Sequence, residues 1–115
     1  MSTPTLDLNV FNELQETAGE DFVTDLVGTF LEEAPAMLAE LRTALAARKA
    51  DSFRRAAHSL KSNSHTFGAM HLGEMARALE LGDLSTGTEA SLDALDAEFA
   101  QVTAALREQC RGCHG

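Results

Sequence analysis

The chain has 115 residues, 44% of them hydrophobic, with 18 acidic against 9 basic side chains and a formal net charge of −9. That length suits one domain with a single core, and the apolar content is too high for a disordered chain. The acidic balance argues against a nucleic-acid surface, which needs clustered cations, and no run nears the roughly 18 apolar residues of a membrane span. The opening residues, Met1 to Asp7, lack the basic and apolar regions of a signal peptide, so the expectation is an acidic cytoplasmic monomer.

Helical periodicity dominates, and no segment alternates as a strand would. A short helix is expected around Leu8–Glu16. Phe22, Val23, Leu26, Val27, Phe30 and Leu31 form one apolar stripe, and Leu38, Leu41 and Leu45 form another. Pro35 lies between them and either kinks one long helix or starts a second at its first turn. Asp51 is expected to cap a helix over 51–67 whose inward positions are Phe53, Ala57, Leu60, Ser64 and Phe67. Gly68 should stop it, because glycine takes the left-handed helix-ending conformation without steric cost. A helix over 69–81 follows, with Leu72, Met75 and Leu79 inward, and residues 82–87 form the last loop. Thr88 then caps a helix over 88–110 with Leu92, Leu95, Phe99, Val102 and Leu106 on one stripe. These elements predict an all-α fold, an antiparallel four-helix bundle with a short additional N-terminal helix. The expectation is one domain over 1–115, its bundle core spanning about 19–110 and its tail 111–115. Phe22, Phe30, Phe53, Phe67 and Phe99 read as core.

Chemistry concentrates on the helix 51–67. The neighbours of His58 at helical spacing are Arg54, Arg55, Lys61, Ser62 and His65. None is large and apolar, so His58 should face water while Ala57 and Leu60 face the core. Lys61, three residues on, is placed to hold its ammonium beside anything attached to the ring. A nucleophilic imidazole beside a cation, with no third catalytic group, suits carrying a phosphoryl group. The segment Asp51–His65 has three bases and one acid, a charge of +2, which leaves −11 for the remainder. Such a patch complements a partner whose active site is a cluster of carboxylates, and offsets the roughly −1.5 to −2 charge of a phosphoryl group.

The run Ala56-Ala57-His58-Ser59-Leu60-Lys61-Ser62-Asn63-Ser64, the Phe30-Leu31-Glu32-Glu33-Ala34-Pro35 junction, the Phe53-to-His58 approach and the Gly68-Ala69 turn fall in one order along the chain. Together they resemble the histidine phosphotransfer (HPt) domains of multistep two-component relays. The resemblance implies that His58 accepts the phosphoryl group, that Lys61 stabilises its oxygens, and that Gly68 lets the following helix pack back. One departure is Ser62, where the family often has glycine, and slightly restricted access for an incoming domain is expected. The implied partners are response-regulator receiver domains, supplying the aspartate and a bound Mg²⁺, and a hybrid sensor histidine kinase. Arg54, Arg55, Ser62 and His65 would form the partner surface. No glycine-rich nucleotide loop or Walker-type motif occurs, so the implied role is a phosphocarrier without an ATP site, metal or cofactor of its own.

A rival pattern closes the chain. Cys110-Arg111-Gly112-Cys113-His114 matches the C-x-x-C-H attachment motif of c-type haem, and some haem proteins are four-helix bundles. A haem-binding electron-transfer protein is therefore the alternative function. Zinc would find only three ligands there, and a redox dithiol lacks its usual strand–helix setting. The pair is read as two reduced cysteines on a frayed tail. His71 and Glu74 share the spacing of a di-iron carboxylate–histidine motif, but the second copy such a site needs does not occur.

Overall fold

Each apolar stripe must leave water, and four of them on antiparallel helices close a single core. The computed structural model describes residues 5–82, 84 and 87–110. The helices are α1 (Leu8–Ala18), α2 (Glu20–Ala47), α3 (Ala50–Thr66), α4 (Met70–Gly82) and α5 (Glu89–Gln109). Consecutive helices α2 to α5 pack each against the next and α5 returns to α2, while α1 lies against α2 and α3. This is the expected four-helix bundle with an additional N-terminal helix.

Caps and turns set the boundaries. Asp7 begins α1, its carboxylate accepting from the backbone N–H groups of Asn9 and Val10 at 3.0 and 3.4 Å. Thr88 caps α5 as expected, accepting from the Ser91 N–H at 3.0 Å. Pro35 neither ends α2 nor starts a new helix, since α2 runs through it for 28 residues. An interior proline costs roughly 3 kcal/mol. Burial of Phe30, Ala34 and Leu41 on either side of it offsets that cost, while the Pro35 ring itself is exposed.

Helix α2 ends on an arginine in the left-handed conformation, Arg48 at φ 59° and ψ 39°. Its N–H donates to the Leu45 carbonyl at 3.2 Å and the Lys49 N–H to the Ala44 carbonyl at 2.9 Å, the paired bonds of a Schellman turn. The position favours glycine, and a side chain there costs about 1–2 kcal/mol. That turn feeds α3 directly, so the cap position is Lys49 and not Asp51. Asp51 instead sits inside the first turn, where it complements the helix dipole and pairs with Arg54.

The α3–α4 turn is tighter. Gly68 adopts φ +84°, and the Ala69 N–H reaches back to the Ser64 carbonyl at 2.8 Å. The Gly68 carbonyl accepts from the Asp7 N–H at 2.7 Å, so the strand-like entry to α1 is pinned onto this turn, with Leu6 buried behind it. Gly68 therefore serves both as helix terminator and as the seat of the N-terminal segment.

The stripes fill the core largely as expected. Phe53, Ala57, Leu60 and Ser64 on α3 are fully buried, as are Leu72 on α4 and Leu95, Val102 and Leu106 on α5. Phe30 packs on Phe67 at 5.3 Å and edge-on to Phe99 at 5.9 Å, joining α2, the α3 terminus and α5. Phe22 is the exception: expected in the core, it is 55% exposed. Val23 takes the inward position beside it, and Phe22 lies one residue off the stripe defined by Val23, Val27 and Phe30.

Polar groups tie α5 to α2. Arg42 donates to Glu89 at 2.6 Å, to Asp93 at 2.8 Å and to Asp96 at 2.6 Å. These carboxylates, Asp96 foremost, raise the guanidinium's hold on its proton. Cys110 continues the α5 stripe and is buried, while Cys113 and His114 lie outside the described residues.

Candidate functional site

Helix α3 buries Ala57 and Leu60 and so turns His58 outward, its side chain 58% exposed. The ring is not free to rotate. Its Nδ1 lies 2.9 Å from Oε2 of Glu80, on α4. The other carboxylate oxygen, Oε1, stands 2.8 Å from Lys61 Nζ. One carboxylate thus bridges the imidazole and the ammonium, with Lys61 and Glu80 each only 23% exposed. Lys61 in the first place, and His58 after it, hold the Glu80 carboxyl below its ordinary range. An ionised carboxylate has no proton to donate, so Nδ1 carries the hydrogen of this bond. In the neutral ring the lone pair then resides on Nε2.

Glu80 is the residue that sequence reasoning missed. It stands 22 positions from His58 and belongs to no motif. A geometric signal for it does exist. The turn around Gly68 joins two antiparallel helices, so a residue ten places before it meets one about twelve places after it. Glu80 also follows the inward Leu79, which puts it on the flank of α4 beside the core stripe.

The remaining expected site residues divide into two groups. Arg54, Arg55 and Ser62 are exposed on α3 around His58. A shallow groove of about 570 Å³ beside the ring is lined by Asp51, Arg54, Arg55, His58, Ser59 and Glu80. A second groove of about 440 Å³ opens toward α2, with Arg55 and Ser59 on one wall and Ala36, Met37 and Glu40 on the other. His65 differs: it is half-buried and packs into the α3–α4 seam. Its ring lies so close over Gly73 that a Cβ there would come within 2.3 Å of it. Its Nε2 is buried, 3.4 Å from Glu74 Oε2. Gly73 is the space that His65 fills, so packing against α4 is its structural part.

The assembled group is an exposed nucleophilic nitrogen, a fixed tautomer, an adjacent cation and open approach from solvent. It can accept and release a charged group, while Glu80 and Lys61 are engaged with each other in the bridge beside the ring. Among the described residues no three metal-ligating side chains converge, and no helix is long and apolar enough to cross a membrane.

Comparison with known proteins agrees with this chemistry. The family model described as Hpt domain matches residues 25–107. The crystal structure of histidine-containing phosphotransfer protein B (HptB) from Pseudomonas aeruginosa PAO1 is similar at a TM-score of 0.84 and 31% identity, covering 94% of this chain and 96% of that one. No curated protein matches the sequence.

Proposed function

The chain belongs to the Hpt domain family, whose role is histidine phosphotransfer in two-component signalling, and from that premise we propose that His58 is its phosphoryl carrier. The observation that carries this assignment is the Nδ1–Glu80 bond, which leaves Nε2 as an exposed nucleophile. Nε2 attacks the phosphorus of a partner's aspartyl phosphate in line. The N–P bond forms as the P–O bond to the aspartate breaks, and the carboxylate leaves with the bonding electrons. The hydrogen stays on Nδ1 throughout, donated to the Glu80 carboxylate. Return of the phosphoryl group to a second receiver reverses these bond changes.

Such a transfer is positioning and charge stabilisation, with a loose, metaphosphate-like transition state. Lys61 supplies the cation. In the resting state its ammonium rests on Glu80, 2.8 Å away, and a short side-chain swing turns it onto the phosphoryl oxygens. Glu80 is already shared between His58 and Lys61, so it has little to offer a divalent cation. We therefore place Mg²⁺ on the receiver, where it would neutralise phosphoryl charge.

The partners in this reading are receiver domains and a hybrid sensor histidine kinase, met by Arg54, Arg55 and Ser62. The chain acts as one monomeric domain over 1–115 in the cytoplasm, without nucleotide chemistry of its own. The Hpt match favours this role over the haem alternative raised by Cys110, Cys113 and His114.

Mass spectrometry after incubation with a phosphorylated receiver tests the assignment. One phosphoryl group is expected on His58, stable in alkali and lost in mild acid, and absent from His58→Gln. An acid-stable label, or one retained by that variant, would overturn it. Incubation with ATP and Mg²⁺ alone should leave the chain unmodified.

A further inference from the structure

Four exposed cations hold no carboxylate among the described residues: Arg107 on α5, and three on or just before α3, the helix of His58. Arg48, Lys49 and Arg55 are exposed, and among the described residues none of them forms an ion pair, whereas Arg42, Arg54, Lys61 and Arg77 each hold a carboxylate. Their placement is uneven. Residues 48–61 contain five of the nine basic side chains and one of the eighteen acidic ones, a charge of +4 against −13 for the rest of the chain.

Arg48 adds an independent observation. It occupies the left-handed position of the α2–α3 turn with φ 59°, although both turn hydrogen bonds are made by the backbone and would survive in glycine. Strain kept at an exposed position, where the side chain packs no core, points to a role for that side chain outside the fold.

Distance connects this elbow to the site. Lys49 precedes His58 by nine residues, about 14 Å along α3 at 1.5 Å per residue. Arg55 lies between them and lines both grooves flanking the site. A partner burying about 800 Å² per side covers a disc of roughly 16 Å radius, so one centred on His58 spans the axial distance to the elbow. An extended polyanion would meet the −13 of the remaining surface, whereas a compact acidic face meets the elbow alone.

We propose that Arg48, Lys49 and Arg55 form a steering arm for a receiver whose acidic surface extends beyond its phospho-aspartate pocket. The arm rests on the phosphotransfer role and acts on encounter: it speeds docking and sets orientation, leaving the bond-making step to His58 and Lys61.

The test is the second-order rate constant for transfer from a receiver that labels His58, followed over a series of salt concentrations. Wild type is compared with Arg48→Gly and with the triple variant Arg48→Gly, Lys49→Ala, Arg55→Ala. At low salt the triple variant should be slower by roughly tenfold or more, with the three proteins converging at high salt. Arg48→Gly should be slower by a smaller factor while melting at a higher temperature. The first-order step inside the complex should not change in Arg48→Gly, whose side chain lies outside the groove beside His58. A triple variant with the wild-type rate constant and salt slope overturns the arm, as does a loss confined to the first-order step. Should the triple variant lose its fold, Arg48→Gly and Arg55→Gln measured singly decide by the same criteria. A wild-type chain that no receiver labels removes the phosphotransfer role, and the arm with it.

Discussion

Replacing Gly68 with alanine should destabilise the bundle by an amount its geometry sets. At φ +84° a side chain is strained, which costs about 1–2 kcal/mol. The new Cβ would also come within 2.7 Å of the Asp7 carbonyl oxygen and 3.2 Å of the Val10 Cβ. Something must move, and the contact nearest at hand is the 2.7 Å bond from the Asp7 N–H to the Gly68 carbonyl, whose loss costs about 0.5–1.5 kcal/mol. Together these give about 2–3 kcal/mol, or a fall in melting temperature of about 10 °C for a domain of this size. Gly19→Ala is the control. Gly19 also has positive φ, +95°, but a Cβ there meets nothing within 4 Å, so only the backbone strain remains. Thermal melts by circular dichroism, with urea titration for the free energies, should rank Gly68→Ala clearly below Gly19→Ala. Equal losses would refute the pinning of the N-terminal segment, and an unchanged Gly68→Ala would remove the left-handed turn itself.

Lys61→Ala should slow transfer with a cognate receiver while leaving the fold intact, and a wild-type rate in quench-flow assays would strip Lys61 of its role. Glu80→Gln should melt below wild type at pH 7. Because Lys61 and His58 lower the Glu80 carboxyl from its ordinary value of 4.5, the stability it contributes is present above that value and lost as pH falls through its folded-state value. The gap between the two proteins should therefore narrow as acid protonates Glu80, and a gap independent of pH would contradict the bridge. Gly28→Ala should stabilise by about 0.5–1 kcal/mol, since this exposed mid-helix glycine leaves a Cβ nothing to meet, and a lower melting temperature would refute that reasoning.

The helices were legible because burial and period coincide. The stripe Leu92, Leu95, Phe99, Val102, Leu106 placed its helix at 88–110 against the observed Glu89–Gln109, and the Phe53-to-Phe67 stripe placed α3 within a residue at each end. Pro35 left two readings open because propensity alone does not include the core that holds α2 together across it. Phe22 misled through size: residue type said core, while its register one position off the Val23 stripe said solvent. Asp51 has the chemistry of a cap, but the Schellman turn at Arg48 started α3 a residue earlier. At the site, His58 and Lys61 were readable because their relation is local, three residues along one helix. Glu80 was not, since its relation to them exists only once α4 folds back.

That fold-back confines the reactive unit to one helical hairpin. His58 and Lys61 sit on α3, Glu80 on α4, and the helices joined by the short Gly68 turn share the most extensive packing in the bundle. Contacts between residues close in sequence close small loops, so they form early as the chain folds and are among the last to be lost. Helix α5 is held more lightly than α3 and α4, by narrower packing and by the solvent-facing Arg42 cluster, and should open before them in native-state fluctuations. Hydrogen exchange would then find amides of α5 releasing deuterium before those of α3 and α4. A molecule caught with α5 frayed would still present an assembled acceptor, which a site gathered from distant parts of the chain would not.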